Sequence, residues 1–345
     1  MIKVLTLSSN KYFDWLTYEM EYLNDAFQRD LGFDLKSYGA YRPDYDESLN
    51  AYQVIEKLYG ISFPDVVLID ISILPEESSK LLFEIVKILK SKSILIFKTA
   101  DPWRQLRWVE ELEEKFSPDF YLVHSKRLTN EFNKKLIGKK ATAHMFPYCF
   151  GRRYFDLGLE RKYDIGLIGR CQLNGELLSK RSFRKKTSKD LSIFYESSLT
   201  KLRSKLGQKN YLQRYAQLIL NLNLCKSSWN SPVAPKGYEG HFHTPFRYVE
   251  APACGAISIT PTHFEELNEY YYPPRSYFCC DNDSLKARDF LIQLKTEPDS
   301  IIEMKNLGYD ISMGNHQAEN RTDFIKDLIK GNESADVRDH YKVDI

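Results

Sequence analysis

The chain is short of several features that would assign a class early. Its charges nearly cancel, 49 Lys and Arg against 47 Asp and Glu for a formal net charge of +2. No global field therefore draws it to nucleic acid or to an acidic membrane. No apolar run approaches the ~18 residues of a transmembrane helix. The opening Met1-Ile2-Lys3-Val4-Leu5-Thr6-Leu7 leads straight into a strand pattern without a signal-peptide apolar core. The expectation is a cytoplasmic protein, with any membrane association limited to peripheral contact. The six cysteines, Cys149, Cys171, Cys225, Cys254, Cys279 and Cys280, lack metal-ligand spacing. The vicinal pair Cys279-Cys280 is too close for an unstrained disulfide, so all are read as reduced thiols. No internal repeat is present. No Asp-x-Asp pair stands in a metal-binding context, since Asp281-Asn282-Asp283 precedes a helix and reads as its cap.

What is there is ordinary in bulk and ordered in pattern. A length of 345 residues exceeds what one core usually serves and predicts two domains of roughly 150–170 residues each. Aromatic content is high at 14%, enough to stack on sugars or bases, although most such rings fill cores. Apolar strand patterns at 3–8, 33–38, 64–70, 93–97, 120–125 and 143–147 alternate with helical patterns at 13–27, 48–59, 76–91, 103–115 and 128–137. Pro64-Asp65-Val66-Val67-Leu68-Ile69-Asp70 is a continuous apolar run between turn residues, as buried parallel strands are. A second series begins with a strand and loop over 163–170 and continues with strands at 191–195, 222–224 and 257–260 and helices at 211–220, 285–295 and, with breaks, 301–330. The predicted fold is α/β, two doubly wound parallel-sheet domains of Rossmann type. The predicted boundaries are 1–152, a linker at 153–162, a second domain at 163–331, and a charged, partly disordered tail at 332–345.

The most informative stretch is Phe246-Arg247-Tyr248-Val249-Glu250-Ala251-Pro252-Ala253-Cys254-Gly255-Ala256-Ile257-Ser258-Ile259-Thr260. It reads as a helical turn, a tight corner and a core strand. Arg247 and Glu250, three apart, share one helix face. Small residues let a backbone or a ligand approach, and Gly255 can adopt positive φ. A helix bearing Glu, a small-residue loop and a strand suit a polar, hydroxyl-rich ligand. An ordinary helix–strand corner with an exposed ion pair is the competing reading.

Other positions carry two readings each. Asp101 follows a strand end, where open α/β sheets place ligands. It is a candidate base, and equally an N-cap for the helix that follows. His124, at another strand end, is the rival base or a packed histidine. Gly169 allows close backbone approach and Arg170 supplies positive charge, or the two form a tight turn with a solvated Arg. Lys180-Arg181-Ser182-Phe183-Arg184-Lys185-Lys186 reads first as a solvated face, with a phosphate, anionic lipid or polyanionic acceptor as alternatives. His241 and His243 invite a zinc reading but lack a third ligand at suitable spacing, so no metal is predicted. His243 and Thr244 suit donor or acceptor contact, and loop packing equally. Tyr195 reads as a core aromatic or as a base-stacking ring.

Several of these motifs, in order, resemble one family. The block Arg247-Tyr248-Val249-Glu250-Ala251-Pro252-Ala253-Cys254-Gly255-Ala256 is similar to the Arg-x-x-Glu-x-x-x-x-Gly element of CgeB-type, spore-maturation-like glycosyltransferases of the GT-B superfamily. Asp101-Pro102-Trp103, Tyr121-Leu122-Val123-His124-Ser125, Phe146-Pro147 and Tyr163-Asp164-Ile165-Gly166-Leu167-Ile168-Gly169-Arg170 resemble its patterns. Gly308-Tyr309 through His316 and Arg321 resembles its closing helix, with Gln317 where Thr is usual. The resemblance implies a metal-independent glycosyltransferase without a cofactor, of the kind used in polysaccharide biosynthesis. It would take a nucleotide-sugar donor on the second domain and a glycan or other hydroxyl acceptor on the first, and react in the cleft between them. Glu250 would accept from the donor ribose, with Arg247 orienting it or meeting phosphate. Gly169, Arg170 and Arg184 would meet the pyrophosphate, the backbone N–H groups of Gly255 and Ala256 would face it, and Tyr195, His243 and Thr244 would contact the donor. Competing classes are another nucleotide-sugar enzyme on this fold such as an epimerase, a non-catalytic binding protein, and a nucleic-acid-modifying transferase. The last is disfavoured by the low net charge.

Overall fold

The computed structural model describes residues 1–8, 15–39, 45–46, 48–71, 80–99, 105–151, 156–168, 171–174, 176–196, 219–232 and 246–345. The chain divides into two compact units. The first comprises Met1–Cys149 and Ala318–His340, and the second comprises Phe150–Gln317 and Tyr341–Ile345.

The first unit holds strands β1 (Ile2–Ser8), β2 (Phe33–Gly39), β3 (Val66–Asp70), β4 (Ile94–Lys98), β5 (Phe120–Val123) and β6 (Thr142–Met145). Helices α1 (Trp15–Arg29), α2 (Ala51–Tyr59), α3 (Lys80–Leu89), α4 (Val109–Phe116) and α5 (Lys126–Lys135) alternate with them. The sheet order is β2-β1-β3-β4-β5-β6, and every pairing is parallel. Buried on both faces, β3 is apolar over Val66–Ile69 and closes on a buried Asp70. α2 shows how local chemistry sets an element: Asn50 and Gln53 form a capping box, and Ala51, Val54 and Ile55 supply the buried stripe.

The second unit repeats the plan. Strands β7 (Tyr163–Ile168), β10 (Ile193–Glu196), β11 (Cys225–Trp229), β12 (Ile257–Thr260) and β13 (Phe278–Cys279) form a parallel sheet in the order β10-β7-β11-β12-β13. A small hairpin of β8 (Gln172–Leu173) and β9 (Glu176–Leu177) follows β7. The helices are α6 (Lys180–Lys186), α7 (Arg247–Ala253), α8 (Glu265–Tyr270), α9 (Ser284–Thr296) and α10 (Asp299–Asn315), while α11 (Ala318–Ile329) belongs to the first unit. In each sheet the order reverses beside the first strand, at β1/β3 and at β7/β11. Such switch points, at the carboxyl ends of the strands, are where open α/β sheets bind ligands.

Three sequence expectations are corrected. The strand expected at 222–224 lies at Cys225–Trp229. Hydropathy misses it because its centre is polar: Ser227 Oγ donates to Asp164 O at 2.7 Å, and Ser228 Oγ donates to Asn230 Oδ1 at 3.1 Å. These bonds let two serines occupy a buried strand. The boundary drawn at 331 moves, because α11 packs in the first unit. Its fully buried Arg321 donates to Pro147 O at 2.7 Å and to Tyr148 O at 3.2 Å. The tail is ordered rather than loose: Ala335 and Val337 are buried, and Asn315 Oδ1 accepts from the backbone N–H groups of Lys342 and Val343.

Candidate functional site

The stretch 246–260 folds as expected, into α7, a corner and β12. Glu250 is 1% exposed and Arg247 14% exposed, and Arg247 Nη1 donates to Glu250 Oε2 at 2.6 Å. This is a buried pair, not a surface one, and burying it demands that each charge find its partner. Among the described residues, Arg247 Nε has no hydrogen-bond partner, so the guanidinium keeps a donor to offer. The Tyr248 hydroxyl lies 2.6 Å from both Asn230 O and Thr260 Oγ1. It thereby ties α7 to the carboxyl ends of β11 and β12.

Cys171 locates the pair further. Its thiol approaches Ile168 O and Trp229 O, the last residues of β7 and β11, at 3.7 Å each. Burial pushes this thiol up to about 12, while the charge of Arg247 pulls against that rise. The Cys171 thiol thus sits at the β7/β11 switch point, and the Arg247 charge acts on it there. Gln172 N donates to Ser231 Oγ at 2.8 Å, and Trp229 Nε1 donates to Gln172 O at 3.1 Å. These bonds fasten the segments that follow β7 and β11 to each other.

The corner after α7 changes one expectation. The Ala256 N–H donates to Ala251 O at 2.9 Å and the Gly255 N–H donates to Pro252 O at 2.8 Å. With Gly255 at φ +69°, this is a Schellman cap. Both N–H groups are consumed by the helix end, so Gly255 and Ala256 do not present them to a diphosphate. Gly255 is required for another reason: a Cβ there would lie 2.5 Å from Asp156 Oδ2 and 2.6 Å from Arg161 Nη2. Those groups form an ion pair at 2.9 Å, and Arg161 also donates to Cys254 O and Asn223 O.

Other predicted positions separate. Arg184 donates to Leu191 O at 3.0 Å and lines a shallow concavity of about 750 Å³ with Lys180, Arg181, Lys185, Thr187 and Lys189. Arg247 and Glu250 are not among its walls. Tyr195 is half-buried and packs against the second-unit core, as a core aromatic does. Asp101, Gly169, Arg170, His241, His243 and Thr244 lie outside the described residues. The cap reading of Asp281-Asn282-Asp283 holds at Asp283, whose side chain accepts from Leu285 N and Lys286 N. All six cysteines are free.

His124 is fully buried at the carboxyl end of β5. Its Nδ1 donates to Phe146 O, its Nε2 lies 3.1 Å from Glu19 Oε2, and its ring stacks on Tyr148 at 4.0 Å. Nδ1 is bonded and Nε2 faces the Glu19 carboxylate inside the unit, which is the packed reading. Lys98, at the end of β4 and 0% exposed, sits 2.6 Å from Glu19 Oε2 and 3.6 Å from Asp70 Oδ2. Burial would raise the Glu19 carboxyl, but His124 and Lys98 outweigh it and hold it at about 2. This charged cluster fixes three adjacent strand ends. Sequence reasoning missed Glu19 and Lys98, although a Lys closing the apolar run Ile94-Leu95-Ile96-Phe97 was a usable signal.

No family model matches the chain, and no curated protein matches it. Among solved structures it is similar to Anabaena Alr3699/HepE in complex with UDP-glucose, at 11% identity and TM-score 0.56, with 96% of this chain and 100% of that one covered. It is similar to sucrose-phosphate synthase from Thermosynechococcus elongatus at 10% identity and TM-score 0.57, with 96% and 100% covered. A glycosyltransferase from Rickettsia africae gives 12% identity and TM-score 0.54, with 96% and 99% covered. At these identities the likeness establishes the fold, which is GT-B. None of the described helices is long and apolar enough to cross a membrane.

Proposed function

We propose that this chain is a glycosyltransferase, moving a sugar from a nucleotide-sugar donor to a glycan or other hydroxyl acceptor. The observation that carries the reading is the buried Arg247–Glu250 pair on a short helix tied to the carboxyl ends of the second sheet. A carboxylate has only acceptor sites and suits the vicinal diol of a ribose. Arg247 holds that carboxylate in place and keeps a donor for an oxyanion. Structures of the same fold carry UDP-glucose or UDP in their crystals, which makes a uridine nucleotide the first donor to test.

In this reading the positive groups stabilise charge growing on the departing nucleoside diphosphate, so no metal or cofactor is needed for the transfer. Arg170 and the Gly169 backbone, which directly follow β7, and His243 and Thr244, which precede α7, complete the donor contacts. Asp101 stays the proposed acceptor-side base, since His124 is fully buried, with Nδ1 bonded to Phe146 O and Nε2 facing Glu19. The CgeB-type family remains the proposed affiliation, on the motif order given above.

The test is calorimetric titration of UDP, UDP-glucose, GDP, ADP and CMP into wild type, Glu250→Gln and Glu250→Ala, each checked for an intact fold by circular dichroism. One nucleotide is expected to bind, and Glu250→Ala should weaken it by about 1–3 kcal/mol, the value of hydrogen bonds to a charged group. If no nucleotide binds the folded wild type, the donor-site reading fails and a non-catalytic role takes its place.

A further inference from the structure

The edge of the second sheet brings together three donors that no step of the transfer uses. His263 follows the end of β12, Cys279 ends β13, and Asp281 begins the turn beyond it. One ligand atom from each lies within 4.8 Å of the others. Cys279 Sγ is 3.3 Å from Asp281 Oδ1, and His263 Nε2 is 4.0 Å from the same oxygen. Imidazole, thiol and carboxylate are the donor set that borderline divalent ions such as Zn²⁺ prefer, with a fourth position left to water.

Proximity alone would be a weak argument, because exposed acidic groups often cluster. The hydrogen bonding behind the histidine is the second observation. Tyr277, 2% exposed, donates its hydroxyl proton to Asn268 Oδ1 at 2.7 Å. An amide carbonyl oxygen can only accept, so the Tyr277 oxygen is left to accept from His263 Nδ1 at 2.8 Å. In the neutral ring that places the proton on Nδ1 and the lone pair on Nε2, the atom facing Asp281. Metal-binding histidines are held in this way, with the second nitrogen donating to a fixed acceptor that sets tautomer and orientation. Asp281 is likewise split between its oxygens. Lys286 takes Oδ2 at 2.8 Å, and Oδ1 is the one turned to Cys279 and His263. The backbone joins the segments as well, with Cys280 N donating to Thr260 O at 3.0 Å.

We propose that His263, Cys279 and Asp281 form a binding site for a single Zn²⁺-class divalent cation that clamps the loop after β12 to the end of β13. The site is independent of the transfer reaction and of the donor assignment.

The experiment is titration of Co²⁺ into the chelator-treated full chain, followed by absorbance and then displaced with Zn²⁺. The expected result is a 1:1 complex with a thiolate-to-cobalt charge-transfer band and the visible bands of a tetrahedral ion. Cys279→Ser should abolish the charge-transfer band. His263→Gln and Asp281→Asn should each weaken Zn²⁺ binding on the order of tenfold or more, and Tyr277→Phe, which removes only the orienting hydroxyl, by a smaller factor. His263 is 46% exposed, so His263→Gln keeps the test sound if another variant is poorly folded. Zn²⁺ should raise the melting temperature of wild type and not of His263→Gln. Absence of a charge-transfer band in wild type at millimolar Co²⁺ would overturn the proposal, as would a band that survives Cys279→Ser, or equal Zn²⁺ affinity in wild type and His263→Gln.

Discussion

Replacing Gly255 by Ala tests whether this glycine serves the helix end or a ligand. The residue sits at φ +69°, and holding an L-residue there costs roughly 1–2 kcal/mol. The new methyl would also lie 2.5 Å from Asp156 Oδ2 and 2.6 Å from Arg161 Nη2. Both atoms end flexible side chains and can swing away, so the added cost is the bonding they surrender. Arg161 is paired with Asp156 at 2.9 Å and donates to Cys254 O at 2.9 Å. Losing one charge-assisted bond of this kind costs about 1.5–3 kcal/mol. The sum predicts a loss of roughly 2.5–5 kcal/mol from the second unit. Trp229 is the only one of the four tryptophans in that unit. Urea unfolding followed by fluorescence, in a background with Trp15, Trp103 and Trp108 changed to Phe, therefore reports on it alone. In an Asp156→Ala, Arg161→Ala background the penalty should shrink to the backbone share, about 1–2 kcal/mol. A loss under about 1 kcal/mol in both backgrounds would mean that neither the positive φ nor the Asp156–Arg161 contact constrains this position. Unchanged stability combined with lost nucleotide binding would return Gly255 to the ligand.

Three further outcomes follow from buried charge. Glu19→Gln takes the nearer carboxylate from Lys98, which keeps Asp70 at 3.6 Å, and the carboxylate facing His124. Both side chains are 0% exposed, and the change should destabilise the first unit by about 3–5 kcal/mol in denaturant unfolding. The Glu19 carboxyl falls from an ordinary 4.5 to about 2 in the fold. Because the folded value is the lower, its contribution is complete above pH 4.5 and drains away as pH falls toward 2. That is about 3 kcal/mol over the window, and the loss should be absent from the acid titration of Glu19→Gln. Arg321→Met removes the donor held by Pro147 O and Tyr148 O; hydrogen exchange should rise across 318–329, with about 3 kcal/mol lost. By contrast Lys180→Ala, Arg181→Ala and Lys185→Ala, on a solvated face, should each move stability by no more than about 0.5 kcal/mol in thermal melts.

The alternation of apolar strands and amphipathic helices was legible without coordinates, because it is local. A strand buried on both faces must be apolar throughout, as Val66–Ile69 is, and a helix must repeat its stripe, as α2 does. The turn–helix–corner–strand reading of residues 246–260 rested on the same kind of information: small residues and a glycine where the chain reverses. Where polar atoms are buried, local pattern fails. Ser227 and Ser228 sit in a core strand because Asp164 O and Asn230 Oδ1 receive their protons, and neither partner can be identified from hydropathy. Lys98 and Glu19 are 79 residues apart in number and meet only when β4 and α1 pack. Sequence spacing showed that Arg247 and Glu250 share a helix face. Only tertiary packing decided that the pair is buried, that Gly255 caps the helix instead of facing a ligand, and that His263 meets Cys279 and Asp281. Each of these outcomes depends on which distant group supplies the hydrogen bond or the charge, and that is a property of the folded chain alone.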